Sequence, residues 1–161
     1  MSVPYASATS GAKAHMEIIK ILQRFGCESV GFMDEFHRHE VLLAFVWRDR
    51  NVQLRASAQG WAKCYLDENP WTHRRRMNRH EWEAKALKQG LVAVNSILRD
   101  WVKGQVTAIE TGILSFEDVF MPYMLLPNGT QVKDHLSKLI EAPPDATFQA
   151  LLEIERVSDG S

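Results

Sequence analysis

The chain has 161 residues, of which 45% are hydrophobic and 24% charged, with a formal net charge of −1; these values exclude a wholly disordered chain and predict one globular domain. The two cysteines, Cys27 and Cys64, are too far apart for a CxxC pair, so neither a disulfide framework nor a zinc ribbon is indicated. No apolar run is long enough to span a membrane and the N-terminus has no signal-peptide h-region, so we expect a cytoplasmic protein that does not insert into a membrane.

The first third of the chain predicts a helix followed by a small sheet. Residues 1–10 are expected to form a flexible arm, with Ser10 or Thr9 as the N-cap of a helix over 11–25 that Gly26 ends. Three strand candidates follow, at 29–34, 40–48 and 52–57. The short polar links between them favour an antiparallel meander, and the almost continuous apolar sequence of the second predicts a central strand covered on both faces.

The middle of the chain predicts an irregular aromatic stretch and then a long helix. Residues 58–78 show no clear period, whereas Asn78, followed three residues later by Glu81, predicts a capping box and a helix of about 32 residues. Gly90 and Gly104 interrupt that helix and indicate close approach by another element. The stripe predicted to face the sheet or a partner helix consists of Leu87, Leu91, Val94, Leu98, Trp101, Gln105 and Ile109.

The C-terminal part predicts short helices. Ser115 and Asp118 form a second capping box, Asn128-Gly129 predicts a tight turn, and a final helix is expected over 132–141. The predicted fold is therefore α+β, with an N-terminal helix, a three-stranded antiparallel sheet, a long helix packed on the sheet and short C-terminal helices. Residues 11–141 are expected to form a single domain, and 142–161 a C-terminal helix with an acidic tail.

No enzymatic motif is present, so we expect a protein without catalytic activity, cofactor or metal. There is no phosphate-binding glycine loop, no GxSxG, no HExxH and no spaced acidic cluster of nuclease type. His37 and His39 could meet Cys64 in a soft metal site if their link were extended. Histidines in a polar link are usually exposed to solvent, so His37 and His39 need no metal to account for them.

One stretch concentrates cations and aromatic residues, and it predicts binding of single-stranded nucleic acid. Four arginines occur within six residues just before the long helix, close to several aromatic residues. Arginine neutralises phosphate, and an aromatic face stacks on a base. The predicted nucleic-acid-binding residues are Arg74, Arg75, Arg76, Arg79, Trp71, Trp61, Lys63, Arg48, Arg50 and Arg55, the last three extending the track on the sheet.

A structural reading of the same stretch stays open. The tryptophans can pin the loop to the core, and the arginines can pair with the nearby carboxylates of Asp67, Glu68, Glu81 and Glu83. The charge is also uneven along the chain, because residues 1–110 contain 16 Lys/Arg against 12 Asp/Glu and residues 111–161 contain 3 against 8. A basic body with an acidic tail is one pattern of nucleic-acid binders, and ordinary surface scatter produces it as well.

Three segments carry a resemblance to a known family. Residues 3–26, 40–57 and 97–132 resemble a family of small proteins of tailed phages and prophages that has no established activity. The most specific matches are the phrase Ile109–Ile113, followed by Ser-Phe-Glu, and the Leu-Pro-Asn-Gly of 126–129. The resemblance implies a phage origin, where proteins of this size commonly serve DNA metabolism or bind a host factor.

The order of elements is also similar to the core of Rad52-like single-strand annealing proteins, which form rings and hold DNA in a basic groove. This similarity is an analogy at the level of the fold. The predicted function is a non-enzymatic, homo-oligomeric single-stranded DNA-binding protein of phage DNA replication or recombination. The alternative is a protein-interaction module that binds or inhibits a host or phage protein, or dimerises through the exposed part of the Leu87–Trp101 stripe.

Overall fold

A computed structural model of the protein describes residues 3–141, and these form an α+β fold with the predicted order of elements. The predicted C-terminal helix and acidic tail over 142–161 lie outside the described residues. The described elements, in chain order, are α1 Gly11–Phe25, β1 Ser29–Glu35, β2 Glu40–Trp47, β3 Arg50–Ser57, α2 Ala58–Glu68, α3 Arg79–Glu110, α4 Phe116–Phe120, a 3-10 turn at Met121–Tyr123, and α5 Val132–Glu141.

Helix α1 begins and ends where its local sequence predicts. The Ser10 side chain accepts a hydrogen bond from the Lys13 backbone N–H at 3.2 Å, which satisfies one of the free donors of the first turn. Gly26 ends the helix with φ 101°, a left-handed conformation that glycine adopts without a Cβ penalty. Residues 3–10 are not a free arm, because Val3 is buried and the Tyr5 hydroxyl donates to Asp100 at 2.7 Å.

The sheet is an antiparallel meander in the order β1-β2-β3, as predicted. Its inner face carries the buried residues Val41, Leu43, Phe45, Val52 and Leu54. All of these except Val41 belong to one core with residues of α1, α3 and α4, so the helices cover one face of the sheet. On the other face Leu42, Ala44 and Val46 are only half-buried, and the prediction of a central strand covered on both faces is wrong.

Residues 58–68, expected to be irregular, form helix α2. The Ser57 side chain caps it by accepting from the Gln59 backbone N–H at 3.2 Å. Trp61 and Ala62 are buried against α3. The helix is short and contains Gly60, so neither its length nor its apolar period distinguishes it in the sequence.

Helix α3 begins at the predicted capping box, with the Glu81 backbone N–H donating to Asn78 at 2.8 Å and the Asn78 backbone N–H donating to Glu81 at 3.1 Å. Its buried stripe differs from the predicted one. Of the predicted residues only Val94 and Leu98 are buried, and the others are half-buried. The observed stripe recurs every four residues, at Trp82, Ala86, Gly90, Val94, Leu98, Val102 and Val106.

The shift of the stripe has a physical cause in α2. A Cβ on Gly90 would lie 3.0 Å from the carbonyl oxygen of Ala58 and 3.3 Å from the ring of Trp61, so small residues of α3 form the contact with α2. The predicted close approach is thus confirmed at Gly90. It is wrong at Gly104, where a Cβ would meet nothing within 4 Å.

Candidate nucleic-acid interface

The loop between α2 and α3, residues 69–78, carries the predicted arginines and is held by two indoles. The Trp71 Nε1–H donates to the carbonyl of Met77 at 2.8 Å, and the Trp82 Nε1–H donates to the carbonyl of Asn69 at 2.9 Å. Asn69 in turn ends α2, because its backbone N–H donates to the carbonyl of Tyr65 at 2.8 Å. These bonds fix both ends of the loop, so its exposed side chains project from an ordered backbone.

Arg75 stabilises the loop instead of presenting a free cation. Its guanidinium carbon lies 3.8 Å from the ring centroid of Trp82, and its Nε–H donates to the carbonyl of Pro70 at 3.2 Å. A cation over an indole face is an attractive arrangement, and it is stronger when partly desolvated. Arg75 is half-buried in this position. The expectation that all four arginines contact phosphate is therefore corrected at Arg75.

Arg74 and Arg76 are the free cations of the loop. Both are exposed, and within residues 3–141 neither makes an ion pair or a side-chain hydrogen bond. Arg79 is bound to Glu83 at 3.0 Å one helical turn later, but its side chain is 76% exposed. Exposed pairs of this kind contribute about 0.3–0.5 kcal/mol, so this pair opens easily. The structural reading in which nearby carboxylates pair with the arginines holds for Arg79 alone among the four.

A cleft of about 600 Å³ lies beside this loop, between α2 and the first turns of α3. Its apolar lining includes Leu66, Trp82 and Leu87, and Trp71 borders it from the loop. Each helix also contributes one cation and, four residues later, one carboxylate. These charged lining residues are Lys63 and Asp67 from α2, and Arg79 and Glu83 from α3.

The charged lining of the cleft is balanced, with two cations and two carboxylates, and the excess of positive charge lies on the adjoining loop and on Lys85 and Lys88. Residues 63–88 contain seven Lys/Arg against four Asp/Glu, although the whole chain has a net charge of −1. An excess of positive charge around a concave site attracts anions and raises their association rate. The structure thus brings together Lys63, Trp71 and Arg79 at the cleft, with Arg74 and Arg76 on the adjoining loop.

Trp61 does not belong to this surface. It is 9% exposed, its Nε1–H donates to the carbonyl of Pro4 at 2.9 Å, and its ring stacks on Tyr65 with centroids 5.3 Å apart. The faces of the indole are therefore occupied by protein atoms. The prediction of Trp61 as a stacking platform is wrong, and the residue is part of the core between α2, α3 and the N-terminal segment.

The predicted arginines of the sheet do not extend the track. Arg48 and Arg50 lie at the β2–β3 turn, and β3, whose eight residues span about 26 Å, separates them from α2. Arg50 is bound to Glu117, and the guanidinium of Arg48 lies 4.5 Å from the ring centroid of Trp47. These two residues form a separate group at the other end of the sheet.

Arg55 is nearer to α2 but is engaged by carboxylates. Its Nη1 lies 2.8 Å from a carboxylate oxygen of Glu35 and 3.7 Å from one of Glu40. The hydrogen bond from Arg55 lowers the pKa of the Glu35 carboxyl and raises that of the guanidinium. Arg55 therefore balances two carboxylates on the sheet and is not a free phosphate contact.

The histidines and cysteines bring no metal ligands together in the described part of the chain. No group of three His, Cys, Asp or Glu side chains among residues 3–141 is arranged to hold a metal ion. His37, His39 and Cys64 therefore do not form the metal site that their residue types allowed.

Cys27 is half-buried, and burial raises the pKa of its thiol to about 11. None of the helices described between residues 3 and 141 is long and apolar enough to cross a membrane.

Comparison with protein-family models, with curated proteins and with solved structures finds no match for this chain. The resemblance to the phage family therefore stays a prediction. Sequence reasoning missed the cleft, because it missed α2. The signal that could have found it is the spacing of Lys63 and Asp67, which places both on one face of a helix once that helix is recognised.

Proposed function

We propose that the protein binds single-stranded DNA at the cleft between α2, α3 and the loop 69–78, without catalysis, in phage DNA replication or recombination in the host cytoplasm. The observation that carries this proposal is the pair Arg74 and Arg76, which are exposed and have no partner within residues 3–141. Their loop is already ordered by Trp71 and Trp82. Free cations on an ordered backbone bind phosphate with little loss of loop entropy.

The roles of the other residues follow from their contacts. Arg79 exchanges Glu83 for a phosphate, since the ion pair between them is exposed and weak. Lys63 supplies a further cation from α2 on the lining of the cleft. Trp71 is half-buried and borders the cleft, so a base entering the cleft stacks on its ring.

The shape of the site favours single strands over duplex. The arginines lie on a loop between two helix ends, and the cleft is concave with an apolar lining. Duplex recognition needs an element that enters a groove, whereas unpaired bases can turn out of the strand and stack on an aromatic side chain. A cleft of about 600 Å³ falls within the range of sites that enclose small ligands, and is accordingly large enough for one base.

Two charge-matched double variants test the proposal. Arg74→Ser with Arg76→Ser removes the free cations of the loop, and Arg48→Ser with Arg50→Ser removes two cations from the other end of the sheet. We expect about a tenfold or greater loss of affinity for labelled oligo-dT in the first variant and little change in the second, measured by fluorescence anisotropy at about 50 mM salt. Equal losses in both variants would contradict the proposed site.

A second candidate function is protein interaction, and one observation favours it. Within residues 3–141, β1 pairs only with β2, and the nearby Met33 and Phe36 are 57% and 76% exposed. An extended segment can add to such an edge through main-chain hydrogen bonds. We take a second copy of this chain as the partner, in keeping with the predicted homo-oligomer. Sedimentation equilibrium checks this: Met33→Ser with Phe36→Ser should lower the average mass if the edge is used, and a wild-type protein that stays monomeric contradicts it.

A further inference from the structure

We propose that the cleft selects guanine, with the Asp67 carboxylate as the residue that recognises the base. This inference rests on the proposed binding of single-stranded DNA at the same site and adds a base preference to it. Most cations around the cleft attract any phosphate chain, so they confer no sequence preference. A preference must come from groups that meet the base edge inside the cleft.

Asp67 is the free carboxylate of the cleft lining. Glu83, the other carboxylate there, binds Arg79 at 3.0 Å. Asp67 is exposed and makes no ion pair or side-chain hydrogen bond within residues 3–141. It stands one helical turn after Lys63 on α2, so a hydrogen-bond acceptor and a donor lie on the same wall of the cleft.

Guanine fits this pairing of an acceptor with donors. Its N1–H and N2–H₂ are adjacent donors that point the same way, and the two oxygens of one carboxylate can accept both. Its O6 and N7 are acceptors for a lysine, and Lys63 supplies that donor from the same wall of the cleft, while Arg79 remains a phosphate contact. Thymine instead has one N–H between two carbonyl oxygens, so its Watson–Crick edge would place an oxygen against the carboxylate.

The apolar part of the lining holds a base without selecting it. Leu66, Trp82 and Leu87 give the base apolar surface to pack against, and Trp71 offers a ring on which it stacks. Asp67 is exposed, so the preference for guanine comes from its two matched hydrogen bonds to the base edge and not from burial of the carboxylate. A base that lacks the matching donors loses these hydrogen bonds and therefore binds more weakly.

The test compares three labelled oligonucleotides that differ at one position. The first is all thymidine, the second has a single central guanine, which cannot form a quadruplex, and the third has hypoxanthine there and so lacks only the N2 amino group. We expect the guanine strand to bind at least about tenfold tighter than the all-thymidine strand, with most of that gain lost for hypoxanthine. Anisotropy measures all three at the same salt concentration.

Two charge-matched variants connect the preference to the cleft. Asp67→Asn removes the carboxylate of the lining, and Glu68→Gln removes the neighbouring carboxylate, which does not line the cleft. Both remove one negative charge, so a purely electrostatic role predicts equally tighter binding to every strand. We expect the guanine preference to disappear in Asp67→Asn and to persist in Glu68→Gln. Both residues are exposed, and thermal unfolding checks that each variant is folded.

The outcomes separate this inference from the proposed function. If the wild-type protein binds the guanine and all-thymidine strands equally, or if the preference survives in Asp67→Asn, the role of Asp67 is refuted while single-strand binding stands. If no strand binds, both proposals fall. A preference that requires both the N2 amino group and the Asp67 carboxylate supports the inference.

Discussion

Gly90 and Gly104 lie in the same helix, and replacing each with alanine tests how closely α2 and α3 pack. Alanine is favoured over glycine in a helix by about 0.8–1.0 kcal/mol. At Gly104 a methyl group meets nothing within 4 Å, so Gly104→Ala should gain this full amount. At Gly90 the methyl lies 3.0 Å from the main-chain oxygen of Ala58, and a main-chain atom cannot move aside without moving the helix.

The expected stabilities of the two variants follow from these contacts. Overpacking costs about 1–3 kcal/mol, which exceeds or offsets the gain in helix propensity, so Gly90→Ala should be about 0–2 kcal/mol less stable than the wild type. Gly104→Ala should be about 1 kcal/mol more stable. Urea unfolding followed by tryptophan fluorescence measures both, provided the slope with urea is unchanged.

The same pair of variants also reports on the cleft. Displacing α2 from α3 alters the lining that both helices contribute, so Gly90→Ala should weaken oligo-dT binding while Gly104→Ala leaves it unchanged. If Gly90→Ala were stabilising to the same extent as Gly104→Ala, the close approach of α2 to α3 at Ala58 would be refuted. The position of α2 relative to α3, which shapes the cleft, would then be wrong as well.

Three further predictions concern stability and reactivity. Asp49 has φ 64° in the two-residue β2–β3 turn, a left-handed conformation that glycine adopts at lower cost. Asp49→Gly should therefore raise the free energy of unfolding by about 0.5–1 kcal/mol in urea titrations, and a lower free energy of unfolding would contradict this turn conformation. The hydrogen bond from Arg99 lowers the pKa of Asp100 below its ordinary value of 3.8, so the ionised carboxylate stabilises the fold at neutral pH. Asp100→Asn should therefore be less stable than the wild type at pH 7. In acid unfolding curves this difference in stability should vanish as the pH falls below 3.8 and through the lowered pKa, and a difference that does not change with pH would contradict this. Because Cys64 is exposed and burial raises the pKa of Cys27 to about 11, one thiol should react quickly with a disulfide reagent at about pH 8, and Cys64→Ser should abolish that fast phase.

The parts of the fold that the sequence predicted correctly depend on local interactions. Ser10, Gly26 and the pair Asn78 and Glu81 act within a few residues of themselves, so their residue types are sufficient to locate the helix ends. The antiparallel meander likewise followed from the short links between its strands.

The parts that the sequence did not predict depend on contacts between distant elements. The buried stripe of α3 includes Ala86 and Gly90, which a search for large apolar residues passes over, because their role is to let α2 approach. Helix α2 itself has no strong apolar period, so its presence depends largely on this packing.

The candidate site was predicted in the same partial way. Its arginine cluster was visible as a run of residue types, and the structure places Arg74 and Arg76 as exposed cations. Which aromatic rings are covered could not be read from the sequence, because Trp61 packs with Val3 and Ala93, which are distant in sequence, and the guanidinium of Arg75 lies over Trp82. The cleft required α2, which has no strong apolar period, so the spacing of Lys63 and Asp67 was the signal of it in the sequence.

The salt dependence of oligo-dT binding tests the central claim most directly. For single strands, the logarithm of the binding constant falls with the logarithm of salt concentration by about 0.7 for each phosphate neutralised. Contacts from Lys63, Arg74, Arg76 and Arg79 predict a slope of about −3 for the wild-type protein, and about −1.4 when Arg74 and Arg76 are both serine. An absence of binding at about 50 mM salt, or a slope that this double variant leaves unchanged, would contradict the account.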